Sequence, residues 1–347
     1  MKFSIVGAGA MAGLRKSALD ASKVASCAGV FDIDPARAAR LAGDGVPYSS
    51  LDALIAAPDV DAVIICTPPD THASIAISAM RAGKHVLVEK PMANSLAACQ
   101  EMLDVASQTG RVLTVGFNHR YFPAVADVRR AVRDGEIGDL RYVRGFTGHT
   151  GLSEFKSDWM YAKDIMGGGT LMDNGIHLID LVSHIMGPIC DVQGRVQNRI
   201  WNLDESEDNA FGILTGVDGV IGTLNASWSE WKGYHFFIEA YGTRGMARAY
   251  YAPMQSMIIT MSEPGGRPKK RVNRYLPLII REKLQGWQYS AVKTLVLELA
   301  DFVDLANGQP IDGPIARAED GLRAIEIANL VYASSASGAA VKLSEAR

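Results

Sequence analysis

The opening run KFSIVGAGAMAGLRKSAL, residues 2–19, constrains the fold more than any other stretch. A short β-rich segment leads into Gly7-Ala8-Gly9-Ala10-Met11-Ala12, which fits G-x-G-x-x-G/A, and a helical period begins near Met11. Glycines so placed let the backbone approach a pyrophosphate at a helix N-terminus, where unpaired N–H groups favour an anion. The next apolar run ends in Asp32, 25 residues beyond Gly7. A carboxylate there can accept hydrogen bonds from both adenine-ribose hydroxyls and would repel a 2′-phosphate. The pattern predicts NAD, held by Gly7, Gly9, Ala10, Met11 and Asp32.

Further apolar runs at 24–31, 61–67, 84–89 and 111–117 alternate with helix-like segments, as in a doubly wound parallel sheet covered on both faces. Asp34-Pro35 reads as an N-cap with proline at N1, and Gly83 as the close of a helix beginning near Asp70. Ligands sit at the carboxyl ends of strands in such sheets. The loops Cys66-Thr67-Pro68-Pro69-Asp70-Thr71-His72 and Glu89-Lys90-Pro91 should therefore border the cofactor. Thr67, Pro68, Pro69, His72, Glu89 and Lys90 become candidate contacts.

The chain has 347 residues, more than one core usually organises, so two domains are expected. With 21% charged residues and a net charge of -3, no general pull toward nucleic acid or an anionic membrane is expected. Cys27, Cys66, Cys99 and Cys190 are scattered, which suits reduced thiols and a cytoplasmic location. The N-terminal region loosely mimics a lipoprotein signal, but Arg15, Lys16, Asp20 and Lys23 interrupt the apolar stretch one needs. No run approaches the roughly 18 apolar residues of a membrane span.

A second chemical feature is GGGTLMDNGIHLID at 167–180, which sets Asp173, His177 and Asp180 at i, i+4 and i+7 of a helix. The trio could bind a metal, perform acid–base work, or serve packing. One helix supplies only part of a metal site, and no other His or Cys pair is evident, so no metal is predicted. A nicotinamide enzyme needs a base within hydrogen-bond reach of the hydroxyl it oxidises. Histidine, with a pKa of about 6.5, suits that task, and a neighbouring cation favours the developing alkoxide.

Taken with TPP…H, AGKHVLVEKP at 82–91, GFNHR at 116–120, YGTRGMA at 241–247 and GLRAIEIANLVYASSASG at 321–338, these motifs resemble the Gfo/Idh/MocA oxidoreductases, named for glucose–fructose oxidoreductase and inositol dehydrogenase. The resemblance covers nearly the whole chain. It implies an α/β protein with an NAD-binding Rossmann domain at 1–120. A substrate-binding and oligomerisation domain at 121–347 would follow, built on an open, mostly antiparallel sheet. It further implies that Lys90, Asp173 and His177 line one pocket with the nicotinamide. His177 would be the general base, Lys90 the substrate anchor and electrostatic aid, and Asp173 the hydroxyl-binding partner.

By the same resemblance Asn118 and Arg120 run beside nicotinamide and substrate, and the outer sheet face supports a homo-oligomer. Runs at 140–149, 210–228 and 235–242 look like strands, the middle one a hairpin turning at Val217-Asp218-Gly219, with helices near 290–306 and 317–336. Trp159, Trp231, Tyr234 and His235 could stack on a sugar ring. The basic stretch GGRPKKRVNR at 265–274 reads as a solvated loop that could reach a phosphorylated or nucleotide-linked substrate. Asp180 is expected to be structural, and the role of Asn174 is open. The predicted activity is hydride transfer between NAD and a secondary hydroxyl of a sugar, cyclitol or derivative. A nucleotide-sugar reductase, an NAD-dependent glycosidase and a silent ligand sensor are the alternatives.

Overall fold

The computed structural model describes residues 1–153 and 157–343, and the chain divides into two compact units. The first contains Met1–Tyr121 and Arg281–Leu322, the second Phe122–Ile280 and the residues from Arg323 on.

The first unit begins β1 (Lys2–Val6), α1 (Ala10–Ala21), β2 (Ser26–Phe31), α2 (Pro35–Ala42), β3 (Val46–Pro47), α3 (Leu51–Ala56) and β4 (Ala62–Ile65). It continues α4 (His72–Arg81), β5 (His85–Val88), α5 (Leu96–Thr109) and β6 (Leu113–Val115). The six strands are parallel in the order β3-β2-β1-β4-β5-β6. Val63, Ile64, Ile65, Val86, Leu87 and Val88 are all 0% exposed, the continuous apolar pattern of strands covered on both faces. Strand order reverses between β1 and β4, and the crevice at that reversal is where such sheets take ligands. Asp34 caps α2 as the sequence predicts, accepting from the Ala36 and Arg37 N–H groups. Helix α4 starts at His72, after a 3-10 turn over Pro69–Thr71. Pro69 holds Pro68 extended (ψ 148°), so the helix cannot begin earlier.

The second unit contains α6 (Pro123–Arg133), β7 (Leu140–Gly148), α7 (Lys163–Met166), a π-helical turn at Leu171–Gly175, α8 (Ile176–Met186) and β8 (Ile189–Gln197). Strands β9 (Asn209–Gly216), β10 (Ile221–Ser227), β11 (His235–Gly242), β12 (Gly245–Tyr251), β13 (Gln255–Thr260) and β14 (Lys269–Asn273) follow. The remaining elements are α9 (Leu276–Gln285), α10 (Gln288–Ala306), α11 (Ala318–Ser337) and β15 (Val341–Lys342). The sheet runs β14-β13-β12-β11-β7-β10-β9-β8-β15. Only β7 and β10 pair in parallel; the other neighbours are antiparallel.

One face of this sheet seats α8. A Cβ on Gly145 would lie 2.3 Å from Leu178, and one on Gly222 would lie 2.5 Å from Met186 Sδ, so the glycines let the helix approach. The expected hairpin turn is present, with Gly219 at φ +82°. The basic stretch is not simply a loop: Lys269–Asn273 forms edge strand β14, and Arg271 pairs with Glu136 at 3.0 Å. Edge lysines fit such a position because they discourage further strand pairing.

Helix α10 packs in the first unit, although the sequence places it in the second domain. Leu295, Leu299, Phe302 and Val303 join Phe3, Ile5, Leu19 and Leu87 in one core, with the Phe302 and Phe3 rings 5.3 Å apart. Burying a side chain of this size stabilises by about 1.5–3 kcal/mol. The first unit is therefore discontinuous in sequence.

Candidate active site

In the first unit, Gly7 holds φ +94°, and a Cβ on it would come within 2.9 Å of the Cys66 carbonyl. The turn can cross the end of β4 only as glycine. Gly9 caps α1 without a side-chain bond, and a Cβ there would meet nothing within 4 Å. A helix N-terminus thus opens onto free space, with Ala10 and Met11 in its first turn. Asp32 Oδ2 accepts the Ala8 N–H at 2.6 Å and Oδ1 accepts the Asp34 N–H at 2.8 Å. A carboxylate offers about four acceptor sites, so Asp32 fastens the glycine turn and keeps capacity for a ribose hydroxyl. These groups fit NAD: the α1 terminus suits its pyrophosphate and Asp32 its adenine ribose.

Around the next two strand ends the structure redistributes the expected contacts. Thr67 Oγ1 accepts from Thr71 Oγ1 at 2.7 Å, Pro68 is half-buried and Pro69 buried. His72 bonds to backbone carbonyls of both loops. It is 1% exposed, with Nε2 2.7 Å from Thr67 O and Nδ1 3.1 Å from Pro91 O, and so ties the two loops together from beneath. Glu89, also expected at the cofactor, turns inward to accept from Arg15 Nε at 2.6 Å. Lys90 is half-buried and precedes a cis proline peptide. Burial and then the Lys90 charge push His119 down to about 3, so that imidazole stays neutral.

Asn118 and Arg120 also depart from expectation. Asn118 Nδ2 donates to Thr294 Oγ1 at 3.1 Å. Arg120 is 4% exposed and directs its guanidinium at the Pro314 and Ile315 carbonyls and Asp320. Both residues hold the returning segment of the first unit.

In the second unit, the parallel pairing of β7 with β10 sets Gly148 opposite Ser227. The residues that follow, His149 and Trp228, emerge side by side. Both donate to Asp173 Oδ2, His149 from Nε2 at 3.2 Å and Trp228 from Nε1 at 3.1 Å. Asp173 is 6% and His177 8% exposed. Because Leu171–Gly175 is π-helical, Asp173 and His177 do not share the regular α register that the i, i+4 spacing suggests. Asp180 is buried, as a structural role requires, and Asn174 Oδ1 accepts from Thr170 Oγ1 at 2.9 Å.

Glu207 fixes the start of this turn. Its carboxylate accepts the Gly169 and Leu171 N–H groups at 2.9 and 2.8 Å and the Tyr332 hydroxyl at 3.0 Å. A Cβ on Gly169 would lie 2.1 Å from Glu207 O. Gly169 therefore serves close packing against Glu207, whose pKa burial raises.

The aromatic candidates separate. Trp231 is 65% exposed, 5.9 Å from the Trp201 ring, and Trp201 Nε1 donates to Trp228 O at 2.8 Å. Tyr234 packs edge-on to Tyr251, and burial raises its pKa. Trp159 lies in a 3-10 turn over Asp158–Met160 and is half-buried. His235 is misplaced for a substrate role beside Asp173: it stacks with Phe146, Phe237 and Tyr250 on the sheet face opposite α8. Among the described residues no group of three or more His, Cys, Asp or Glu side chains is placed to hold a metal ion.

His149 and Trp228 were hidden in the sequence, although each ends a recognisable strand run; Glu207 carries no local signal. The strongest sequence clue to Arg15 is a charge inside an otherwise apolar helix face.

A family model described as oxidoreductase family, NAD-binding Rossmann fold, matches residues 1–117, and the GFO/IDH/MocA C-terminal domain model matches 125–248. An inositol 2-dehydrogenase of Rhizobium meliloti is 31% identical over 274 residues, 77% of this chain and 81% of that protein. A scyllo-inositol 2-dehydrogenase (NAD(+)) of Bacillus subtilis is 34% identical over 207 residues, 57% of this chain and 56% of that protein. Levoglucosan dehydrogenase in complex with NADH shares the fold, with a TM-score of 0.87 over 100% of both chains at 23% identity. No described helix is long and apolar enough to cross a membrane. On these matches the chain belongs to the Gfo/Idh/MocA family of oxidoreductases.

Proposed function

We propose that this chain is an NAD-dependent dehydrogenase that oxidises a secondary hydroxyl of a sugar, cyclitol or related polyol. The observation that carries the reading is Asp173, a buried carboxylate held by two N–H donors next to His177, in a chain whose glycine turn and Asp32 fit NAD. The names of its inositol-oxidising relatives support the substrate class. NAD, when bound, supplies the hydride acceptor at nicotinamide C4. Asp173 accepts a hydrogen bond from a substrate hydroxyl and orients it. His177 takes the hydroxyl proton as hydride leaves and returns it in the reverse direction. The Lys90 ammonium anchors the substrate and favours its alkoxide-like oxygen. Trp231, with Trp201, offers an aromatic face to the C–H side of a ring.

We also propose a homo-oligomer through the outer sheet face, where Tyr142, Phe211, Ile213 and Ile221 are 38–45% exposed. A cytoplasmic location is supported by four free cysteines. The deciding experiment is a screen of polyols, aldoses, glycosides and nucleotide sugars for NADH formation. NADH from polyols or aldoses supports the reading. Glycoside cleavage without net NADH, or ligand binding without turnover, would replace it with the glycosidase or the sensor.

A further inference from the structure

Arg15 sits in α1, the helix that leads from the glycine turn, and is 0% exposed. Its guanidinium bridges two carboxylates: Nε to Glu89 Oε1 at 2.6 Å, and Nη1 to Glu298 of α10. Gly116, after β6, leaves room for the pair. A Cβ there would lie 2.5 Å from Arg15 Nη2 and 3.0 Å from Glu89 Oε2. The Glu89 backbone N–H donates to Ile65 O at 3.0 Å, so backbone and side chain of this residue are both fixed.

We propose that Arg15 is a positioning residue: by gripping Glu89 it locks the turn that carries Lys90 to the helix leading out of the glycine motif. Glu89 and Lys90 directly follow β5, which ends at Val88, so a grip on Glu89 restrains the backbone that Lys90 continues. Arginine is suited to this because its planar fork can serve two carboxylates at once, which a lysine point charge cannot do with the same geometry. Simple packing does not call for the arrangement, since apolar residues of similar shape usually fill such a space at no loss of stability. Burial pushes Glu298 up to about 7, opposed by the Arg15 charge.

The inference rests on the role given to Lys90 above, and its test separates the two. Arg15→Met and Arg15→Lys are compared with the unaltered protein by amide hydrogen exchange over residues 86–93, by NADH binding and by turnover. Exchange at the Glu89, Lys90 and Met92 amides should rise about tenfold or more in Arg15→Met while β1 and β4 stay unchanged. NADH affinity should hold within about threefold and turnover fall by about tenfold or more. Arg15→Lys should lie between, and it decides by the same exchange readout if the methionine variant does not fold. Unchanged exchange at these amides, or a rise spread evenly over the sheet, overturns the proposal. A protein that never turns over refutes the dehydrogenase reading but leaves the exchange result valid.

Discussion

His149 donates from Nε2 to Asp173 Oδ2, and the Gly151 N–H pointing at His149 Nδ1 from 3.0 Å fixes the tautomer that makes this possible. The proton must lie on Nε2. His149→Phe removes that donor while Trp228 still donates to Asp173. We expect kcat/KM to fall about 10- to 100-fold, which corresponds to about 1.4–2.7 kcal/mol, the range for a hydrogen bond to a charged group. Steady-state kinetics with NAD saturating would measure it; an unaltered kcat/KM would remove His149 from the orientation of Asp173.

His177→Ala should lower kcat about 10²–10⁴-fold at pH 7, the usual contribution of a general base. Near-normal turnover would assign the proton to another group.

Asp32→Ala should reduce the preference for NAD over NADP, because the charge that repels a 2′-phosphate is gone. It should also weaken NAD itself, since the Ala8 N–H loses its acceptor. Isothermal titration with both cofactors reads the two effects separately.

Two glycine substitutions should behave oppositely. Gly169→Ala forces a Cβ to within 2.1 Å of a backbone oxygen and should cost about 1–3 kcal/mol or more of stability. Gly9→Ala meets open space, so stability should change by no more than about 0.5 kcal/mol while NAD binding weakens. Urea midpoints and cofactor titration test the pair.

Glu298 predicts a pH dependence of stability. Burial raises its carboxyl from 4.5 to about 7. The folded chain holds the proton more tightly than the unfolded one. Its contribution is complete below pH 4.5 and is lost as pH rises through about 7. The span is on the order of 3 kcal/mol. Glu298→Gln, which cannot titrate, should flatten the decline in melting temperature over that window; a parallel decline would place the raised carboxyl elsewhere.

The parallel sheet of the first unit was legible because its strands are apolar without interruption and its turns carry glycine, proline and aspartate at characteristic positions. Gly7 and Asp32 meet through Ala8, a bond that the spacing, read only for a ribose contact, did not indicate. His72, Glu89, Asn118 and Arg120 lie in strand-end loops and bond to the protein itself, because such a loop fixes where a residue sits but not which side of the backbone its side chain takes. His149 and Trp228 meet Asp173 only through the parallel pairing of two strands far apart in sequence, a register no local pattern encodes. His235 failed for a related reason: a one-residue difference in a strand moves a side chain to the other face.

The return of α10 to the first unit bears on how the chain is made. A ribosome that has released residues 1–280 has produced every strand of the parallel sheet, yet Phe3 and Leu19 still lack Leu295, Leu299 and Phe302 as neighbours. The N-terminal nucleotide-binding half therefore cannot finish folding first, as sequential domains commonly do. A gene fragment ending at residue 120 would yield an incomplete, aggregation-prone piece, and any graft of this half into another protein must carry two separate segments.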